Sequence, residues 1–330
     1  MATTQREDFS CAAATNDSAY RRIATPVLRI DAGPGPAVAL MAGVHGDEWE
    51  GQAAILELWH RLPDLLRRGT VYLLPAANAE ASLAGARLSP SDGGNLNRAF
   101  LGAPARGYTE SVAAALEARL LPRIQTLIDV HSGGASLRYL PASVITRQGD
   151  DPYDARLPAL ARAFGLPHCI FFRGGEPGSM PAAASRHGVL RLSAEIGGGR
   201  ESSQALVARC RDGLLGCLAE LGLLDRGPRA PAASPALYDL NADAATLRAA
   251  EAGVFIPEAC LGQTLEAGQA LGTLIEPARP ELPARAVLPS QPGTVVCLRA
   301  IARSHPGDCL AQVARALSLD SLPDLYRPCS

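Results

Sequence analysis

Ala37-Val-Ala-Leu-Met41-Ala-Gly-Val-His45-Gly-Asp-Glu48-Trp-Glu50 is the stretch from which the rest of the chain can be read. Residues 37–44 form an apolar run of strand length, and Glu50 to Leu62 carry a helical apolar pattern at Ala53, Ala54, Leu56, Leu58 and Leu62. His45 therefore falls at the carboxyl end of a strand, where ligands gather in open α/β sheets. An imidazole and a carboxylate three residues apart at that junction can face one divalent ion. A His-x-x-Glu pair alone also arises on solvated helix faces, so the setting and a further donor decide its meaning. Asp129-Val-His131-Ser-Gly-Gly offers that donor at the end of another apolar strand. Catalytic zinc typically takes three protein ligands and leaves a fourth position to water, and two His with one Glu is a known set. The constellation reads as that of a zinc hydrolase, with one Zn2+ per chain.

Working outward, strand-like runs recur at 26–30, 37–44, 70–74, 125–130, 168–173 and 189–196. Helix-length segments lie among them at 50–62, 110–122, 154–164 and 202–223. This alternation predicts an α/β fold, a largely parallel or mixed sheet flanked by helices, with the three candidate ligands at one sheet edge. Around residues 225–236 the pattern gives way to Asp-Arg-Gly-Pro-Arg-Ala-Pro-Ala-Ala-Ser-Pro-Ala, which reads as a linker. Beyond it, Gly253-Val-Phe-Ile, Leu271-Gly-Thr-Leu-Ile and Gly293-Thr-Val-Val-Cys-Leu are short runs punctuated by Gly and Pro, the signature of a small all-β unit. The expected organisation is a catalytic α/β domain over 1–225, a linker over 226–236 and a small β-rich domain over 237–330.

Composition narrows the function classes. With 47% hydrophobic and 19% charged residues over 330 positions, the chain is globular in character and long enough for one large unit and a smaller one. A net charge of -2 supplies no basic field for nucleic acid. No apolar stretch approaches the roughly 18 residues of a membrane span, and Arg6, Glu7 and Asp8 do not fit a signal peptide, so the expected compartment is the cytoplasm. The eight cysteines show no Cys-x-x-Cys pair and are expected to be reduced and mostly buried. The sequence has no lysine, which removes Schiff-base chemistry and a phosphate-loop lysine together.

Two further segments complete the candidate site. Ser89-Pro-Ser-Asp-Gly-Gly-Asn95-Leu-Asn97-Arg98 is a glycine-rich loop ending in an amide and a guanidinium, a pair suited to gripping a carboxylate. Arg87 lies just before it; an arginine over the metal could polarise a scissile carbonyl, whereas taken singly each arginine also suits a surface ion pair. Leu192-Ser-Ala-Glu195-Ile-Gly-Gly-Gly puts a carboxylate at a strand end, as a general base or as a cap on the next element. Asp129 shares a strand face with His131 and could orient it, contact substrate or cap a loop. Ser132 is a poor nucleophile candidate because His131 is better used on metal. His60, His168, His187 and His305 have no partner pattern and read as surface or core. The glycine-rich segments 174–178 and 197–199 lack a nucleotide loop's context and are active-site loops at most.

The set His45-x-x-Glu48, Asn97-Arg98, His131 and Glu195, in that order and at these separations, strongly resembles the succinylglutamate desuccinylase and aspartoacylase family, relatives of the zinc carboxypeptidases. The resemblance runs from about residue 25 to near the end. It implies a zinc-carboxypeptidase-like fold with His45, Glu48 and His131 as zinc ligands, Glu195 as general base, Arg87 polarising the carbonyl, and Asn97 with Arg98 on the substrate carboxylate. Arg87-Leu-Ser-Pro-Ser-Asp-Gly-Gly-Asn95-Leu-Asn-Arg is similar to the branch that includes the N-acetyl-diaminobutyrate deacetylases. Where the family often has Asn-Arg-x-Phe followed by Pro-Gly, this chain has Leu101-Gly102, which alters a turn. The tail resembles the small barrel-like domains of biotinyl and lipoyl carriers but has no attachment lysine, so it is expected to be a structural or substrate-gating appendage or an oligomer contact. The expected activity is deacylation of a small N-acyl amino acid, N-acetyl-diaminobutyrate-like. A metallocarboxypeptidase on short peptides and a non-catalytic metal-binding protein of the same fold are the alternatives. Arg138, Arg173 and Glu176 are candidate charged contributors to specificity.

Overall fold

The computed structural model describes residues 2–15, 17–102, 105–147, 156–173, 176–225 and 234–318, with the side chains of Arg147 and Arg173 outside the description. Eight strands and five helices build the frame of the site. In chain order they are β1 (Thr3–Arg6), β2 (Leu28–Asp31), β3 (Ala37–Met41), α1 (Trp49–Leu65), β4 (Thr70–Leu74), α2 (Tyr108–Arg119), β5 (Thr126–His131), β6 (Leu137–Arg147), α3 (Leu157–Phe164), β7 (His168–Arg173), α4 (Met180–Arg186), β8 (Leu190–Gly198) and α5 (Gln204–Glu220). Their order across the sheet is β1-β2-β4-β3-β5-β8-β6-β7. The central strands β4, β3, β5 and β8 run parallel, while β2 is antiparallel to β4 and β6 to β8, so the sheet is mixed.

Alternation along the strands divides the apolar side chains between two cores. Val38 and Leu40 of β3, with Ile128 and Val130 of β5, enter the layer beneath α1, α3 and α5. Ala39 and Met41, with Leu127, enter the layer beneath α2 and α4, where a hairpin of Phe9–Ala12 and Arg22–Thr25 closes the outside. Helix α1 buries Gly51, Ala54, Ile55, Leu58 and Leu62, a 3.6-residue stripe. The expected stripe included Leu56 instead of Ile55; Leu56 is 51% exposed, because it lies about 100° around the helix from its neighbour. Each fully buried aliphatic side chain in these layers contributes roughly 1.5–3 kcal/mol. Gly51 lets α1 approach β5: a Cβ there would lie 2.7 Å from Val130 Cγ1.

Strand β6 carries a proline, Pro141, inside an 11-residue strand. It lies beside a register shift, where Glu195 of β8 pairs with Ala142 and Gly197 with Tyr139. A bulge tolerates a residue that cannot donate to the ladder. The shift turns the end of β8, and Gly197, Gly198 and Gly199 all take positive φ there. At Gly198 a Cβ would sit 2.3 Å from the Leu137 carbonyl oxygen.

Residues 226–233 of the expected linker lie outside the described residues. The next strand, Ala236–Asp239, pairs parallel with β7. Cys309–Leu317 pairs antiparallel with it and with Gly293–Arg299, and Gly293–Arg299 pairs in turn with the first residues of β6, Cys297 opposite Tyr139. A separate four-stranded sheet, Arg285–Val287, Gly272–Ile275, Gly253–Pro257 and Arg303–Ser304, completes the strand-rich C-terminal region. Among the described residues no helix is long and apolar enough to cross a membrane, and no described cysteine forms a disulfide.

Replacing Gly198 by alanine should destabilise the protein by more than about 1 kcal/mol, since both its φ of 112° and the Leu137 carbonyl oppose a Cβ. Urea unfolding measures this, and an unchanged midpoint would contradict the account of the β8 turn.

Candidate functional site

The carboxyl ends of β3, β5 and β8 meet at one rim of the sheet. His45 follows β3 in the turn to α1, His131 is the last residue of β5, and Glu195 stands opposite His131 in the parallel register of β5 and β8. Glu48 occupies the N-cap position of α1 without capping it; its carboxylate turns to the imidazoles instead. His45 Nδ1 lies 2.7 Å from Glu48 Oε1, and His131 Nδ1 lies 3.0 Å from Glu48 Oε2. The three residues offer ligand atoms within 4.8 Å of one another, and all three are buried. The site has the donors and the spacing of a three-ligand metal centre.

The far nitrogen of each imidazole is held by an acceptor, which decides the tautomer. His131 Nε2 is 3.0 Å from Asp129 Oδ2, and His45 Nε2 is 3.1 Å from Asn95 Oδ1. The Asn95 oxygen is identified by the Asn97 N–H that it also accepts at 2.9 Å. With an acceptor on each Nε2, each ring would keep its proton there when a metal takes Nδ1, the arrangement by which outer partners orient metal ligands. Asp129 is fixed by Arg191, which donates Nε at 3.1 Å and Nη2 at 2.6 Å to the same Oδ2. Ser132 serves through its main chain, its N–H donating to Glu48 Oε2 at 3.2 Å. Asp47 Oδ2 accepts the Ala135 N–H at 2.7 Å and ties the loop after His131 to the one after β3.

The electrostatics follow from this packing. Burial opposes a charge on Glu48, yet the two imidazoles outweigh it and hold the carboxyl well below the usual carboxylate range. Burial likewise opposes Asp129, which His131 and Arg191 nevertheless hold down to about 2. For His131, burial favours the neutral ring, but Asp129 and Glu48 on either side raise it well above its ordinary value. Glu195 behaves in the opposite sense. Burial pushes it up to about 8 against the pull of His131 and Arg87, with Glu48 and Asp129 adding to the rise, and among the described residues its Oε2 has no hydrogen-bond partner. A carboxyl poised near neutral pH beside a metal position suits proton transfer.

A cavity of about 480 Å³ opens over the centre and brings together all seven residues expected from the sequence: His45, Glu48, His131, Glu195, Arg87, Asn97 and Arg98. Arg87 is half exposed, with Nη1 3.3 Å from Glu48 Oε1. Asn97 Oδ1 accepts the Met180 N–H at 3.1 Å, which leaves its NH2 as the donor end. Arg98 Nε meets Glu176 Oε2 at 2.6 Å at the cavity mouth. Arg138 is not part of the lining; it pairs with Glu201 at 2.7 Å, because the turn after β8 carries that acid beside it. Among the remaining histidines, His168 leans on the Tyr238 ring, His187 is 3.6 Å from Glu117, and His60 and His305 are exposed. Asn95, Asp47 and Arg191 were not singled out from the sequence, since each works on a partner remote along the chain.

Known proteins are similar to this chain in sequence and fold. A family model for the succinylglutamate desuccinylase/aspartoacylase catalytic domain matches residues 34–221. The N-alpha-acetyl-L-2,4-diaminobutyric acid deacetylase of Halomonas elongata is 29% identical over 303 residues, covering 92% of this chain and 89% of that protein. Among solved structures, a succinylglutamate desuccinylase/aspartoacylase from Rhodobacter sphaeroides superposes with a TM-score of 0.87 at 29% identity, covering 95% of this chain and 96% of that one. The product-bound ectoine utilization protein of Ruegeria pomeroyi gives 0.89 at 28% identity, over 94% and 95% of the two chains.

Removing an outer partner should loosen the centre without unfolding the protein. Asp129→Ala is expected to lower zinc affinity about 10- to 100-fold, with Asn95→Ala acting in the same direction. Competition with a chromogenic chelator measures this, and wild-type affinity in both variants would contradict the assigned tautomers.

Proposed function

The chain belongs to the succinylglutamate desuccinylase/aspartoacylase family, and from that premise we propose that it is a zinc-dependent amidohydrolase that releases a short carboxylic acid, acetate foremost, from the nitrogen of an amino acid. The observation that carries this reading is the convergence of His45 Nδ1, His131 Nδ1 and the Glu48 carboxylate beneath a cavity that also holds a carboxyl of raised pKa. Zinc bound by these three residues would polarise the scissile carbonyl and make water a better nucleophile at neutral pH. The acetyl group named for the Halomonas relative supports acetate as the acid released.

The chain's own residues divide the remaining work. Glu195, whose Oε2 has no partner among the described residues, takes a proton from the attacking water and returns it to the departing amine nitrogen. Arg87, next to Glu48, stabilises the negative charge that develops on the carbonyl oxygen. Asn97 and Arg98 hold the carboxylate of the amino acid at the mouth. The reach of Arg98 to the Glu176 carboxylate supports that role, and substrate would replace Glu176 there.

Glu195→Ala should keep its zinc and lose about 10²- to 10⁴-fold in turnover, measured as amine release alongside metal analysis. Near-full activity would rule out Glu195 as the base. Arg98→Ala should raise KM with a smaller effect on kcat, the pattern expected when a group binds ground and transition states alike.

A further inference from the structure

We propose that Arg191 determines specificity at the inner end of the cavity: its guanidinium recognises a carboxylate or carboxamide on the substrate arm that reaches there and disfavours an ammonium group. The inference rests on the deacylase reading above and concerns which N-acyl amino acid that site accepts.

Alternation along β8 puts Arg191, Ser193 and Glu195 on one face, and Ser193 pairs with Asp129 of β5 on one side and Val144 of β6 on the other. The cavity therefore continues from Glu195 past Ser193 to Arg191, walled beyond by Val144, Thr146 and Phe172. The Arg191 side chain is only 8% exposed, and that exposure faces this cavity. Both bonded nitrogens, Nε and Nη2, are spent on a single oxygen, Asp129 Oδ2; among the described residues Nη1 has no partner. A guanidinium has five N–H donors, and with Nε and Nη2 on Asp129 the Nη1 end is the one left for an acceptor supplied by the substrate.

The charge distribution selects which substrate. Asp129 is fully buried behind the guanidinium and presents nothing to the cavity. Glu48 faces the imidazoles, Glu195 lies at the reaction centre, and Glu176 is at the mouth with a side chain 70% exposed. An ammonium at the inner end would meet a cation and no exposed acid, the kind of repulsive element that gives specificity. Distance permits the contact: Arg191 Nη2 is 2.6 Å from Asp129 Oδ2, which is 3.0 Å from His131 Nε2, so the guanidinium is two hydrogen bonds from a ring of the centre. A short arm suffices, with Val144 and Phe172 flanking its methylene groups. The carboxylate or carboxamide can belong to the amino-acid side chain or to the far end of a dicarboxylic acyl group.

The test is kcat and KM of the zinc-loaded protein on N-acetylaspartate, N-acetylglutamine, N-acetyl-diaminobutyrate, N-acetylnorvaline and N-succinylnorvaline, for wild type and Arg191→Gln. The expected result is at least about a tenfold preference for an acid- or amide-bearing substrate over N-acetyl-diaminobutyrate. In Arg191→Gln, assayed at saturating zinc, that preference disappears through KM, on top of any loss common to all five substrates that comes from loosening Asp129. A preference for N-acetylaspartate or N-acetylglutamine over N-acetylnorvaline assigns the contact to the side chain; a preference for N-succinylnorvaline assigns it to the acyl group. Preferred cleavage of N-acetyl-diaminobutyrate overturns the inference and leaves the deacylase reading intact. A loss in the variant that is equal on every substrate and leaves the preference in place also overturns it, because Arg191 would then act only through Asp129. Absence of turnover on all five would count against the deacylase reading, and calorimetric binding of the same compounds would then decide the inference by the same ranking. Should Arg191→Gln not fold, Arg191→Lys, which keeps the charge and loses the fork, and the wild-type ranking serve in its place.

Discussion

Glu48 is 3% exposed and lies between two imidazoles that are nearly as buried. An ionised carboxylate in that position has given up its water and must be paired on every side. The pairing propagates outward: Glu48 engages His45 and His131, His131 engages Asp129, Asp129 engages Arg191, and His45 engages Asn95. Each link satisfies a polar group that would otherwise be a buried orphan, so the centre is one network. Partial satisfaction of such a network is costly, and this rigidity holds both Nδ1 atoms on one point.

The sheet makes the network possible. Parallel strands β3, β5 and β8 end at the same rim and carry the ligand turn, the second imidazole and Glu195, while α1 begins directly after Glu48 and places the positive end of its dipole beside that carboxylate. The bulge at Glu195–Gly197 and the positive-φ glycines after it turn β8 away from the rim. The loop that contains Asn95, Asn97 and Arg98 is pinned at both ends of its function, through Asn95 to His45 and through Asn97 to the start of α4. The proposed metal position and the proposed substrate grip thus depend on the same short segment.

Much of this was legible in the sequence where the signal is local. His45 and Glu48 sit within one strand-to-helix junction, and β3, β4, β5, β7 and β8 are legible as short apolar runs of strand length. Strand β6 escaped detection because Arg138, Pro141, Ser143 and Thr146 break its apolar pattern; its pairing partners supply the order that its own residues do not signal. The hairpin strand Phe9–Ala12 and the short alanine-rich helix α4 are hidden for the same reason. Asn95 and Arg191 lie 50 and 62 residues from the partners that define them, and no spacing rule reaches that far. Ile55 replaced Leu56 on the buried face of α1 because adjacent apolar residues leave the phase of a helix open until the sheet beneath it is in place.

The central claim is that His45, Glu48 and His131 form one metal centre, with both imidazoles ligating through Nδ1. A crystal structure of the zinc-loaded protein, with anomalous scattering recorded at the zinc edge, addresses it most directly. The account predicts a single strong peak within bonding distance of His45 Nδ1, His131 Nδ1 and the Glu48 carboxylate, with both Nε2 atoms still on Asn95 and Asp129. A peak bonded to an Nε2 atom, or a metal bound elsewhere with this cluster left unligated, would contradict it.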